Sequence, residues 1–391
     1  MTIAYRFLAP GQIVFGWGAR EQLVSLIPPS AKRVWLVSGS RTLERTGVVT
    51  QLTEQIAASG RGVVQHATRS REPEVVDVDS LVAAWRSKNV EPTDAVIAIG
   101  GGSTIDLAKA AAALATNGNG ESVAEYLEGV GTGRKIVNPP LMLIAVPTTA
   151  GTGSEATKNA VISSDDPPYK KSLRSDLMVP AAVVVDPELT VTVPPEITAH
   201  TGMDAITQLI EAYISRRSTL IPKALCEQGL QLAIPALPRA IQNGADRVAR
   251  EAMSHAALLS GMALANSGLG LAHGVAAGLG VLCRIPHGLA CAVMLPAALY
   301  YNLPVSAPEL ARLGTLSLGR PFPSERDAAE TFVAAITDLC RHVGIPPRLR
   351  ELGVPRPLLD DLVPASQGNS LSGNPRDISP AQLRELLETW W

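Results

Sequence analysis

Apolar positions change their rhythm midway along the chain. In the first half, short β-branched and aliphatic runs alternate with helical stretches. The run 33–38 (Arg-Val-Trp-Leu-Val-Ser) predicts a strand, followed by a helix over 50–59, a weaker strand at 62–66 and a helix over 81–88. Positions 94–99 predict a buried strand leading into a glycine turn and an alanine-rich helix over 104–116, and 141–146 and 182–185 predict further strands. Buried strands that alternate with helices imply parallel βαβ units with helices on both faces of the sheet. From Pro194 onward helical periodicity dominates, over 206–215, 224–234, 247–266, 309–316, 325–343 and 380–390. The proline pair Pro194-Pro195 punctuates the change. The pattern predicts an α/β domain with a parallel sheet over 1–193 and an all-helical domain over 194–391, with a surface loop at 366–370.

The length of 391 residues suits two domains, and 46% hydrophobic against 18% charged residues excludes wholesale disorder. Thirty-four Lys and Arg against 36 Asp and Glu leave a net charge of -2, no electrostatic basis for nucleic acid or an anionic membrane as partner. Aromatics at 4% argue against stacking platforms for single strands. Cys226, Cys283, Cys291 and Cys340 form no C-x-x-C pair, which points to a reducing cytoplasm. The first residues lack a basic region followed by an apolar one, so no secretory signal is expected, nor is any apolar run of about 18 residues found for a membrane span.

Two small-residue turns carry candidate chemistry. Gly100-Gly101-Gly102-Ser103 falls between a strand and a helix, where bare backbone and a helix N-terminus favour a phosphate. It is neither of the usual nucleotide fingerprints, and a tight βα turn is the alternative. Ser103 can serve as N-cap or phosphate donor, and Asp106 can complete a capping box with it. The second turn, from Pro147 through Thr148, Thr149 and Thr152 to Glu155, follows another strand. With the two turns on adjacent strands, a dinucleotide is the natural occupant. In the helical half Asp204, expected at a helix start, has Gln208 one turn on. His273 and His287 lie in apolar, glycine-rich surroundings. One carboxylate and two histidines suit Fe(II) or, with a fourth group, Zn(II); capping or structural roles are the alternative.

The segments GGGSTIDLAK, PTTAGTGSE, DPELT, TGMDAITQLIEAY, AHGVAAGLG, IPHG and NPRDIS occur in this order, and the chain resembles the iron-containing (group III) alcohol dehydrogenases along essentially its whole length. The resemblance implies a dehydroquinate synthase-like architecture: a dinucleotide-binding α/β domain, an all-α domain and a catalytic cleft between them. It implies that Gly101, Gly102 and Ser103 hold the pyrophosphate and that Asp106, Thr148, Thr149 and Thr152 line the cofactor. Leu189 would pack on adenine and Lys171 would contact ribose. Asp204, His273 and His287 would be the catalytic metal ligands, for Fe(II) or Zn(II), with small alcohols and aldehydes as substrates and a homodimer or larger assembly as the habit.

Two positions depart from the family pattern. Gln208 stands where a third histidine ligand is expected; its amide oxygen can ligate, but more weakly than imidazole. Ala277 replaces a histidine thought to relay a proton, leaving water or His200 to do so. After strand 33–38, Gly39 and Ser40 stand where many relatives carry an aspartate that binds the ribose of NAD. Small residues leave room for an extra phosphate, and Arg41 could pair with it, so NADP is favoured over NAD. Rival expectations are a maleylacetate reductase-like or other metal-independent reductase, a lyase of the dehydroquinate synthase type, and a catalytically degraded relative.

Overall fold

A computed structural model describes residues 4–39, 41–68 and 71–391. Its described residues hold eight strands: β1 (Gln12–Phe15), β2 (Arg33–Ser38), β3 (Gly62–Ala67), β4 (Ala95–Gly100), β5 (Met142–Pro147), β6 (Asn159–Asp165), β7 (Pro168–Arg174) and β8 (Ala182–Val185). Six form one parallel sheet in the order β1-β8-β5-β4-β2-β3, and β6 and β7 pair as an antiparallel hairpin. Every residue of β4 is buried, as a central strand covered on both faces requires. Its register sets Ile97 between Leu36 of β2 and Ile144 of β5, all three in one apolar cluster.

Helices α1 (Arg41–Arg45), α2 (Val48–Ala58), α3 (Val75–Ser87) and α4 (Gly102–Asn117) complete the first half. The second half is built from α5 (Pro195–Ile214), α6 (Leu220–Gln242), α7 (Arg247–Ser267), α8 (Leu271–Cys283), α9 (His287–Leu318), α10 (Glu325–His342), α11 (Leu359–Ala365) and α12 (Pro380–Trp390). The fold class expected from the sequence, a parallel-sheet α/β part and a helical part, is the one observed. Two compact units result. One comprises Leu8–Thr149 and Ser154–Thr192; the other takes residues 4–7, Ala150–Gly153 and Val193–Trp391.

Several elements differ from the periodicity reading, each for a physical reason. Strand β1 is short and largely exposed, and the β6–β7 hairpin is rich in Ser, Asp and Lys, so neither carries a hydrophobic run. Helix α6 continues past 234 through Pro235 and Pro238, because Ala233, Ala236, Leu237 and Ala240 pack into the core and hold the chain helical. Helix α9 likewise runs through three prolines, with one non-helical residue at Ser306. It is the one described single helix long and apolar enough by composition to cross a membrane, and most of its apolar window is buried against the other helices. Pro195 opens α5 at the first helical position, which its fixed φ suits. Asp204 consequently sits in the middle of α5 and not at a helix start.

The strand order reverses direction between β2 and β4, since the chain leaves β2 for β3 and then returns across it. Ligands of open α/β sheets bind outside the carboxyl ends of strands at such a switch point. Gly39 follows β2 there, donating its N–H to Ile99 O at 2.9 Å. A Cβ at Gly39 would lie 1.8 Å from Thr104 Oγ1 and 2.8 Å from Thr68 Oγ1, so this close approach admits only glycine. The Gly39→Ala variant is expected to lose about 1–3 kcal/mol of stability through overpacking, read as a lowered urea midpoint at unchanged slope.

Candidate active site

Helix α5 brings Asp204, Gln208 and Glu211 onto one buried face, by their spacings of four and three residues. All are at most 2% exposed. The N-terminal turn of α8 presents His273, and the first residue of α9 is His287, with Cys291 one turn later on the same face. His273 Nε2 lies 3.3 Å from Asp204 Oδ1, and His287 Nε2 lies 4.0 Å from that oxygen. Cys291 Sγ is 3.7 Å from His287 Nε2. One donor atom from each of Asp204, His273, His287 and Cys291 falls within 4.8 Å of the others. His287 keeps 30% of its side chain exposed, so the cluster has one solvent-facing edge.

Glu211 supports this cluster from behind. Its Oε2 lies 2.7 Å from His273 Nδ1, and its carboxylate accepts the backbone N–H groups of Gly270, Ala272 and His273. An imidazole that gives its Nδ1 proton to a carboxylate presents Nε2 as a lone pair, the arrangement by which metal-binding histidines are fixed. Gln208 is also engaged: Oε1 accepts the Ser260 hydroxyl at 3.0 Å and Nε2 donates to Thr152 O at 3.2 Å.

Charge in the cluster is unevenly placed. Burial works to raise the Asp204 carboxyl, but nearby His287 and hydrogen bonds from His273 and Gln208 outweigh it and hold the group below its ordinary value. Burial opposes protonation of His273, yet Cys291, Asp204 and Glu211 together carry it well above the usual histidine value. Burial pushes the Cys291 thiol up to about 12. Two buried carboxylates thus demand a positive charge between them, which a proton or a divalent cation can supply. The donor set is chemically suited to the cation: oxygen, nitrogen and sulfur donors converge, and Glu211 fixes one imidazole.

In the α/β unit, the turns after β4 and β5 are neighbours: Gly100 pairs with Pro147, and Thr148 N–H donates to Gly100 O at 3.0 Å. Gly101, not Ser103, is the N-cap of α4, and no side chain caps this end. Gly101, Gly102 and Ser103 stay half-buried while the next helical residues are buried, so an uncapped N-terminus faces outward, suited to a phosphate. Thr149 Oγ1 lies close to Gly101. Beside Ser103 opens a cavity of about 210 Å³ lined by His66, Thr68 and Arg71 among others.

Asp106 makes no capping box. It accepts Val161 N–H at 3.0 Å and lies 3.3 Å from the buried Lys109 ammonium, which also donates to Ser154 O and Thr157 Oγ1. Leu189 belongs to the apolar cluster under the sheet. Lys171 stands opposite Ile162 in the hairpin. Thr152 packs with the helical unit. His200, one turn before Asp204, is half-buried and has Glu196 as its charged neighbour; Ala277 offers no titratable group. Ser40 lies outside the described residues, as does the side chain of Arg41.

Two functional candidates escaped the sequence reading. Glu211 stood seven residues after Asp204 in an apolar helix, where a lone carboxylate signals a buried partner. Cys291 stood four residues after His287, a helical ligand spacing.

Residues 10–187 match the family model of the iron-containing alcohol dehydrogenases, and 198–391 match that of the Fe-containing alcohol dehydrogenase family, C-terminal. The chain is 34% identical over 391 residues to long-chain-alcohol dehydrogenase 1 of Geobacillus thermodenitrificans (strain NG80-2), covering 99% of this chain and 97% of the relative. It is 31% identical over 385 residues to the NAD-dependent methanol dehydrogenase of Bacillus methanolicus, covering 98% of each. The crystal structure of a 1,3-propanediol oxidoreductase superposes with a TM-score of 0.89 at 32% identity over 100% of both chains.

Removing the charge of Glu211 should expose how much rests on it. Glu211→Gln leaves one acceptor for several buried donors and is expected to cost about 3 kcal/mol of stability, read by urea unfolding. Metal affinity should fall about 10- to 100-fold, as when other outer partners of metal-binding histidines are lost, read by equilibrium dialysis.

Proposed function

The chain belongs to the iron-containing alcohol dehydrogenase family and is an alcohol dehydrogenase, and we propose that it interconverts small alcohols and aldehydes at a divalent cation held by Asp204, His273 and His287. The observation that carries this reading is the convergence of donor atoms from those residues on one buried point, in a chain of that family. What the bound cation and nicotinamide supply is Lewis acidity toward the alcohol oxygen and hydride exchange with the carbinol carbon.

The chain's own residues do the rest. Glu211 holds the Nδ1 proton of His273 so that Nε2 faces Asp204. Gln208, tied to Ser260 and Thr152, also hydrogen-bonds Asp204 and so positions its carboxylate. The alcohol approaches at the solvent-facing edge of His287, and its proton leaves through water there, since Ala277 carries none. The N–H groups of Gly102 and Ser103 receive the pyrophosphate. Thr148, Thr149, Thr152, Lys171 and Leu189 line the remainder of the cofactor, and Asp106 is assigned to holding Lys109. A reducing cytoplasm suits the four unpaired thiols. The cation is Fe(II) or Zn(II) on this ligand set.

NADP(H) is the favoured cofactor. A side chain at position 39 is resisted, because its Cβ would fall 1.8 Å from Thr104 Oγ1 and force that threonine to move. The sequence after β2, Gly39 and then Ser40, supplies no carboxylate to compete with a phosphate on the adenine ribose.

Aldehyde reduction followed by nicotinamide absorbance is expected to proceed, and to rise when Fe(II) or Zn(II) is restored to metal-stripped protein. Gly102→Val should abolish cofactor binding with the fold retained, as seen by fluorescence titration and circular dichroism. Unchanged titration would remove the glycine turn from the cofactor site.

At fixed substrate, kcat/KM is expected to be higher with NADPH than with NADH, and Ser40→Asp should reverse that order. A preference for NADH in the parent would show that this loop does not select the phosphate.

A further inference from the structure

The ligand set just proposed lacks a fourth donor, since Gln208 replaces the histidine of the family pattern and its amide oxygen already accepts the Ser260 hydroxyl. We propose that Cys291 supplies that donor, binding the cation as a thiolate. This rests on the reading that Asp204, His273 and His287 hold a metal.

Geometry carries the inference. Zinc-like bonds of about 2.0–2.1 Å to N and O and about 2.3 Å to S place tetrahedral donor pairs about 3.4 Å apart for N and O and about 3.6 Å apart for S and N. The protein has Asp204 Oδ1 to His273 Nε2 at 3.3 Å, Cys291 Sγ to His287 Nε2 at 3.7 Å and Asp204 Oδ1 to His287 Nε2 at 4.0 Å. These three edges lie within about 0.6 Å of such spacings. Cys291 Sγ is also 4.0 Å from His287 Nδ1, so the partly exposed imidazole of His287 turns to aim Nε2 at the shared point as the cation binds. Cys291 is 0% exposed and rides on the same helix face as His287, so both are delivered by one rigid turn. Of the other thiols, Cys340 instead faces Ala292 O, and neither Cys226 nor Cys283 belongs to the cluster.

Charge agrees. One carboxylate and one thiolate with two neutral imidazoles balance a divalent cation, while the Glu211 carboxylate behind them is met by the first N–H groups of α8, and metal binding displaces the thiol proton. Replacing a nitrogen donor by sulfur softens the set and shifts selectivity from Fe(II) toward Zn(II) and its spectroscopic substitute Co(II).

The test is anaerobic titration of the metal-stripped full chain with Co(II), followed in the near ultraviolet and visible and by equilibrium dialysis. The parent should develop a thiolate-to-cobalt charge-transfer band that saturates with one bound cobalt. Cys291→Ser should lose that band and bind Co(II) at least about tenfold more weakly, while Cys340→Ser keeps both. Cobalt bound by the parent without the band overturns the role of Cys291 and leaves the other ligands standing. A Cys291→Ser variant with undiminished affinity does the same. No cobalt bound by the parent overturns the metal reading and this proposal together. Should the serine variant fail to fold, the parent spectrum alone decides.

Discussion

Asp204 and Glu211 are two carboxylates two turns apart on the buried face of α5, and their burial constrains everything around them. An ionised carboxylate withdrawn from water must be met by donors or opposite charge. Glu211 is met by the first N–H groups of α8, the positive end of that helix, and by the imidazole of His273. His273 then bridges the two acids, which together with Cys291 carry it above the usual histidine value against the opposing effect of burial. Asn374, in the NPRDIS segment, accepts Leu271 N–H and exchanges hydrogen bonds with Asn302, closing the same helix start from the other side. The NPRDIS segment thus has a mechanical task, holding the turn that carries His273.

The α/β unit solves a similar problem with different parts. Lys109 is buried in α4, and Asp106, three residues earlier, is its counter-ion. Carbonyls from the stretch between β5 and β6 accept the remaining ammonium protons. The consequence is that the hairpin's first strand is anchored to α4 through the Asp106–Val161 bond. Charge here serves the architecture: the Asp106–Lys109 pair holds α4 to the chain that follows β5.

The legible parts of the fold were those in which one strand or helix reports its own burial. Strands β2, β4, β5 and β8 are apolar runs because helices cover both faces, and α7, α10 and α12 show clean periodicity between caps. Elements stabilised by partners distant in sequence were not legible. Prolines in α6 and α9 read as breaks, although packing overrides them. At the site, Asp204, His273 and His287 were recognisable as residue types, and the structure brings them together. Cys291 is not marked by any disulfide or C-x-x-C pattern; its signal is the helical spacing of four residues from His287. Glu211 lies within the segment TGMDAITQLIEAY, but its partners are at a helix start about sixty residues further on, which spacing within the segment does not reveal.

The four residues Ala150–Gly153 lie within the sequence of the α/β half yet pack with the helices. Gly153, at φ +62°, sits so tightly on α7 that a Cβ there would fall 2.5 Å from the Cα of Gly261, and one on Gly261 would fall 2.2 Å from Gly153 O. Gly151 is pressed as closely on Thr201 of α5. The two halves are therefore not interchangeable cassettes. A chimaera spliced at the proline pair would import a loop shaped for its own parent's α5 and α7, with no room for a side chain at either glycine of that contact, 153 or 261.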